Sequence, residues 1–116
     1  MPCFVARDKS TNELIGAFWA DTNNSFYLEK RYTKPVYWIR NLFVRSELRG
    51  KGVGKRLLGF GVHVLFQDTP CDAILSQIHV DRAMSTRVHT QVGFYVVGEY
   101  KESHIGNYWF GTFIRN

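Results

Sequence analysis

The sequence predicts a mixed α/β sheet, largely antiparallel, with helices covering its faces, in the order β-β-β-α-β-α-β-β. Three observations carry this. Aromatic and β-branched runs bounded by polar turns recur at both ends of the chain, as hairpin strands do. Apolar residues spaced three to five apart follow residue 52, the period of a helix packed on one side. The central strand–helix–strand succession requires a crossover, and a crossover joins parallel neighbours. The 116 residues make one domain, residues 1–116.

The elements follow in order. "CFVAR" and "ELIGAFWA" flank "DKSTN", a polar turn, and read as a β-hairpin. "DTNNS" is loop, and "FYLEKRYTKP" is ambiguous up to Pro35. "VYWIRNLFVR", residues 36–45, is a long strand. Val53, Leu57, Leu58, Val62 and Leu65 mark one face of a helix running to Phe66. Gly59 and Gly61 inside it each cost about 1 kcal/mol relative to Ala, and suit a close approach to the sheet. "DAILSQIHV" is the next strand. Asp81 is placed to cap a second helix ending near Gln91, with Met84 and Val88 inward. "GFYVVGEY" and "NYWFGTFIR" close the sheet, joined by "KESHIG".

With 45% hydrophobic and 22% charged residues, the chain is not a disordered one. No stretch nears the roughly 20 apolar residues of a membrane helix. "MPCFVARDKS" lacks the apolar core of a secretory leader. Cys3 and Cys71 form no paired motif, so the expectation is two free thiols in a reducing, cytoplasmic compartment, without a metal site.

The formal charge is +5. Arg40, Arg45, Arg49, Lys51, Lys55 and Arg56 face only Glu47 between residues 40 and 56, so this segment holds the whole excess. A local anion site is therefore expected rather than a generally basic surface. The stretch "RGKGVGKRLL", residues 49–58, lies between a strand and a helix. A helix N-terminus presents unpaired N–H groups, and glycines bring the backbone close to a ligand. Together they predict a phosphate cradle. It is neither a Walker loop, because Gly50 and Gly54 enclose three residues and Arg56 follows Lys55, nor a dinucleotide fingerprint, because Lys55 and Leu57 stand where its third glycine belongs.

"LFVRSELRGKGVGKRLL" resembles the acetyl-CoA motif of the GNAT N-acetyltransferase superfamily through Leu42, Val44, Arg49, Gly52 and Gly54. "STRVHTQVGF", residues 85–94, is similar to that family's second element, which ends in "GF". The resemblance covers roughly residues 3–115 and implies a GNAT-like acyl-CoA N-acyltransferase fold. It implies direct transfer of an acetyl group from acetyl-CoA to a small amine or a protein or peptide amine. Backbone groups of Leu42, Phe43 and Val44 would pair with the pantetheine arm. Arg49, Gly50, Lys51, Gly52, Val53, Gly54 and Lys55 would hold the pyrophosphate, and Ser85 would lie near the cofactor. The backbone N–H of Phe43 or a neighbour would serve the oxyanion.

The chain departs from the family in several places. It begins at what would be the second strand, without the strand and two helices that usually wall the acceptor site. An acidic residue on the central strand is replaced by Arg40 and Asn41 in "WIRN". The usual tyrosine four before the Gly of "GF" is His89, and Arg82 replaces an asparagine. His89 is then the candidate acid for the leaving thiolate, against a partly buried polar role on its helix. His79 is the candidate base, directly or through water, against a solvated strand end. Asp81 is a cap before it is a base, and His63 and His104 belong to the surface. Phe18, Trp19, Phe26, Tyr27, Tyr32, Tyr37, Trp38, Trp109, Phe110 and Phe113 are mostly core, and the apolar surface left over predicts a homodimer. Two other functions fit the same residues: a CoA-binding protein without catalysis, and a basic nucleic-acid-binding module.

Overall fold

The computed structural model describes residues 2–22, 26–27, 30–31, 36–71, 73–79, 83–102 and 106–114. Its elements are β1 (Cys3–Arg7), β2 (Leu14–Asp21), β3 (Phe26–Tyr27), β4 (Lys30–Arg31), β5 (Val36–Val44), α1 (Val53–Asp68), β6 (Ala73–His79), α2 (Ala83–Val92), β7 (Tyr95–Glu102) and β8 (Gly106–Ile114). Six strands form one sheet in the order β1-β2-β5-β6-β8-β7. Among the described strands of this sheet only β5 and β6 pair in parallel, joined by the crossover through α1; the other pairs are antiparallel. β3 and β4 make a small separate hairpin where the sequence was ambiguous. The candidate cap Asp81, and His104, lie outside the described residues.

The β1–β2 turn is shaped by Asp8, whose Oδ1 accepts from the Ser10 and Thr11 amides and the Ser10 hydroxyl. These donors hold its carboxyl below the usual range. Asn12 takes the left-handed conformation there, φ 62°, which asparagine tolerates.

α1 buries the stripe Leu57, Leu58, Gly61, Val62, Leu65 and Phe66 against the sheet. Phe18, Leu58, Leu65 and Ile74 are nearly inaccessible in that core. Full burial of each such side chain contributes about 1.5–3 kcal/mol before the entropy of ordering it. Gly61 permits the approach: a Cβ there would sit 2.2 Å from Cζ of Phe18. Gly59 does not act this way, since a Cβ would meet nothing within 4 Å. Thr69 ends α1, its amide and hydroxyl both bonding the Leu65 carbonyl, and Pro70 follows.

α2 lies on the same face as α1. Val88 and Val92 pack toward the core and His89 is buried. Met84 is exposed, not inward as its spacing suggested, because Ser85, Val88, His89 and Val92 form the stripe turned to the sheet. Gly93, at φ 117°, ends α2, and the Phe94 amide closes on the His89 carbonyl. Phe94 is then buried beside His89. This is the physical content of the "GF" pair: a glycine that turns the chain and an aromatic that pins it. A second cluster, Val36, Trp38, Ala73 and Leu75, lies on the other sheet face.

Candidate functional site

The site begins with an irregular strand. β2 and β5 pair Trp19 with Arg40 and Ala17 with Phe43, so Phe18 faces two residues, Asn41 and Leu42. Asn41 adopts φ 55°, a left-handed residue inside a strand. Such a bulge bends its strand and increases its twist. The parallel rungs between β5 and β6 run from Val36/Ala73 to Ile39/Ser76 and stop there, two residues before the bulge begins. Both strands continue, β5 to Val44 and β6 to His79. Between them the sheet opens into a slot. Along it, the β6-facing edge of residues 40–44 has no strand partner among the described residues. Leu42, Phe43 and Val44 form that edge, and Phe43 is exposed.

β5 leads past a single 3₁₀ turn, Ser46–Leu48, into the glycine loop. Gly50 and Gly52 have φ 77° and 84°, and no atom lies within 4 Å of where either Cβ would be. The loop is thus left-handed at both positions and open in front. Gly52 is the N-cap of α1, and the first intrahelical bond runs from Arg56 to its carbonyl. The amides of Val53, Gly54 and Lys55 therefore have no acceptor within the helix. No acidic side chain lies in the first turn. Gly54 packs closely, 3.5 Å from Val44 and 3.8 Å from Val88 at its would-be Cβ, and ties the cradle to β5 and α2.

The cations predicted to act as one cluster divide. Arg45 pairs with Glu13 and Glu47. Both carboxylates hold its guanidinium above its usual range, while Glu47 is lowered first by its own backbone amide and then by Arg45. Arg49 donates through Nε to the Val44 carbonyl, 3.2 Å away, and staples the loop to the strand end. Arg40 lies across the sheet with Asp21. Lys51, Lys55 and Arg56 are exposed around the cradle itself. Lys55 also begins a groove of about 490 Å³ that follows α1 past Gly59 and His63 and is closed by Gln91 and Val92 of α2.

His89 lies on α2 with its ring buried, the alternative its position allowed. It is 3% exposed. Nδ1 lies 2.7 Å from the Ser85 carbonyl, which can only accept, so Nδ1 carries a proton. Nε2 lies 2.9 Å from Ser76 Oγ and accepts the hydroxyl proton. Burial pushes the ring below its ordinary pKa against the opposing effect of the Ser85 carbonyl. The ring is thus neutral, with both nitrogens engaged inside the protein. Its partner Ser76 ends the part of β6 that pairs with β5, so the pair fixes α2 against the floor of the slot. Ser85 is half-buried and serves this network through its carbonyl. His79 is the last residue of β6, beyond the final rung with β5. His63 is exposed, as expected. Ser76 and the left-handed Asn41 escaped the sequence reading; the signal was a polar "RN" within an apolar strand.

A sequence profile of the Acetyltransferase (GNAT) family matches residues 1–94. The chain belongs to the GNAT family. Among solved structures, this GNAT chain is similar to the ribosomal-protein-S5-alanine acetyltransferase from Vibrio fischeri, with a TM-score of 0.82 at 20% identity over 97% of this chain and 60% of that one. It is similar to a GNAT acetyltransferase from Bacillus anthracis, TM-score 0.78, 14% identity, 97% and 65% coverage. It also resembles Arabidopsis thaliana NAA60 in complex with acetyl-CoA, TM-score 0.74, 16% identity, 94% and 70% coverage. The GNAT chain spans 60 to 65% of the length of the first two. Among curated proteins none matches its sequence.

Proposed function

We propose that this chain transfers an acetyl group from acetyl-CoA directly to an amine. The observation that carries the reading is the slot: parallel pairing stops at Ile39/Ser76 beside a glycine cradle on the same strand. An extended pantetheine arm can add its amides to the unpaired edge of Leu42, Phe43 and Val44, as a third strand would. The amides of Gly50 to Lys55, with Lys51 and Lys55 beside them, suit a pyrophosphate. Acetyl-CoA supplies an activated acyl group on a thiol leaving group. The chain's own task is to expel water from the slot, present N–H groups to the developing oxyanion and relieve the amine of its proton.

Amides on the bulged edge near Phe43 are the proposed oxyanion donors. His79 at the end of β6 remains the proposed base, directly or through water. His89 is proposed as a positioning residue rather than the acid, because its one ring proton is held by the Ser85 carbonyl. The thiolate then takes its proton from solvent at the mouth of the slot. His89's burial also favours a second reading, a carrier-binding protein without catalysis.

The test combines calorimetry with acetyl-CoA and a thiol-release assay over a panel of amines. Binding with amine-dependent thiol release is expected. Binding without release, over the whole panel, supports the second reading, and no binding removes both. The neighbours act on different acceptors: a ribosomal protein in one, spermidine in another. A cytoplasmic location fits an exposed Cys3 and a buried Cys71 that are not joined in a disulfide. A homodimer belongs to the same proposal. Val5 and Leu14 are exposed beside the outer edge of β1, and a second copy would cover them. Sedimentation is expected to give twice the 13.5 kDa of one chain, and a monomer at micromolar concentration removes this part.

A further inference from the structure

Arg40 is the first residue of β5 beyond the last rung shared with β6. It therefore stands where the slot opens. Its guanidinium lies 5.2 Å from the centroid of the Trp38 ring, and Trp38 belongs to the cluster on the face away from α1. Trp19 faces Arg40 across the sheet. Asp21 reaches Nε at 3.8 Å, a loose ion pair. Neither Nη1 nor Nη2 has a hydrogen-bond acceptor among the described residues. The side chain is 34% exposed.

Arg40 is the one charged residue of the strand "VYWIRNLFV". Within the fold it is engaged through the Trp38 ring and, loosely, through Asp21 at Nε. The side chain is held: its guanidinium lies over the Trp38 indole, its position faces Trp19 in the strand register, and a carboxylate approaches it at Nε alone. That arrangement presents the Nη1/Nη2 end of the fork, without an acceptor among the described residues, in a setting less polar than water. It is the geometry that receives a carboxylate with two parallel N–H···O bonds.

The direction of approach follows from the layers. α1 and α2 both cover the other face, through Gly61 on Phe18 and His89 on Ser76. An acyl carrier held by the α1 cradle enters from that side. The acceptor must reach the slot from the face that carries Arg40.

We propose that Arg40 is a carboxylate subsite, and that the acceptor is an amine that also bears a carboxylate near its nitrogen. This rests on the slot being the acyl-carrier site. A polyamine would meet a fixed cation at the point of attack. The pairing is held in check by Asp21, which competes for the same guanidinium.

The test measures binding, so that it does not depend on turnover. N-acetyl amino acids and their carboxamides, from glycine to glutamate, are titrated onto the protein with and without CoA, followed by the fluorescence of the indoles beside Arg40. These probes carry the carboxylate but no ammonium. The acids are expected to bind at least about tenfold tighter than the amides, the factor a charge-assisted bond supplies. Arg40→Gln abolishes the preference and Arg40→Lys keeps part of it. Asp21→Asn enlarges it, an outcome that a merely structural role for Arg40 does not produce. Equal binding of acids and amides by the parent chain, or an unchanged preference in Arg40→Gln, overturns the proposal. If Arg40→Gln does not fold, Arg40→Lys and Asp21→Asn decide it. Should calorimetry show no acetyl-CoA binding, the transferase reading falls, while the acid–amide comparison on the unloaded protein still decides Arg40.

Discussion

His89 shows how far one residue's surroundings can redirect its chemistry. The unfolded chain offers water to an imidazole whose ordinary pKa is 6.5. The fold offers instead a hydroxyl, a carbonyl and the edge of Phe94. The folded pKa is lowered, so the unfolded state takes up the proton first. The stability that neutral His89 confers is then complete above about pH 6.5 and declines as pH falls toward the folded value. Denaturant midpoints are expected to be level between pH 7 and 8 and to drop below pH 6. His89→Gln, which can still donate to a carbonyl and accept from a hydroxyl, should flatten the acid side; an identical pH profile in the variant contradicts the assignment. Ser76→Ala strands Nε2 in the core and is expected to cost about 1–3 kcal/mol. The sequence marked His89 by its place before "GF", but Ser76, thirteen residues away on another strand, carries no mark of its own. Gly52 is the opposite case, because its surroundings are empty and only its backbone matters. Gly52→Ala is expected to lose about 1 kcal/mol of stability from the left-handed φ. Gly52→Asp adds a negative charge to an anion cradle, and calorimetry should then detect no acetyl-CoA binding.

At the level of elements, α1 contains two glycines two residues apart that a sequence cannot tell apart. Gly61 faces Phe18, where an added Cβ has 2.2 Å to the ring, and Phe18 has no exposed surface through which to move. Gly61→Ala is expected to cost about 1–3 kcal/mol as overpacking, despite alanine's better helix propensity. Gly59 faces open space, so Gly59→Ala should gain up to about 1 kcal/mol. Urea unfolding of the two variants measures both, and equal effects would falsify this account of how α1 approaches the sheet. The strand β5 teaches a similar lesson. Its aromatic and β-branched composition announced a strand, and its join to a glycine loop announced the cradle. The bulge at Asn41 was not announced: asparagine tolerates a left-handed φ, but only the register imposed by β2 shows that it takes one here. The slot lies beside that bulge, so the feature on which the proposed acyl-carrier reading rests became visible only in three dimensions.

The whole molecule joins two demands on a small domain: a sheet cohesive enough to fold and a sheet split enough to admit a ligand. The order of elements was legible because each strand and helix carries its own period, and the crossover rule then fixed the parallel pair. The charge distribution was legible only as a total. Folding assigns Arg45 to Glu13 and Glu47, Arg49 to the Val44 carbonyl and Arg40 to the far face, so three cations remain at the cradle. This bears on what the domain binds. A carrier that fills the slot adds the contacts which β5 and β6 lack beyond Ile39 and Ser76, and it binds only the folded chain. At a hundredfold excess over its dissociation constant it should stabilise the fold by about 2.7 kcal/mol. For a domain of this size, that raises the melting temperature by on the order of 10 °C. The backbone amides and slot proposed to hold it would act only partly through charge, so most of the rise should persist in moderate salt. A nucleic acid bound through the same cations would lose its effect steeply as salt increases. A scan with acetyl-CoA and with a mixed-sequence RNA, at low and moderate salt, therefore separates the two. A rise with acetyl-CoA that survives salt, and that Gly52→Asp abolishes, places the carrier in the cradle. A rise only with RNA would reassign the three cations to a phosphate backbone.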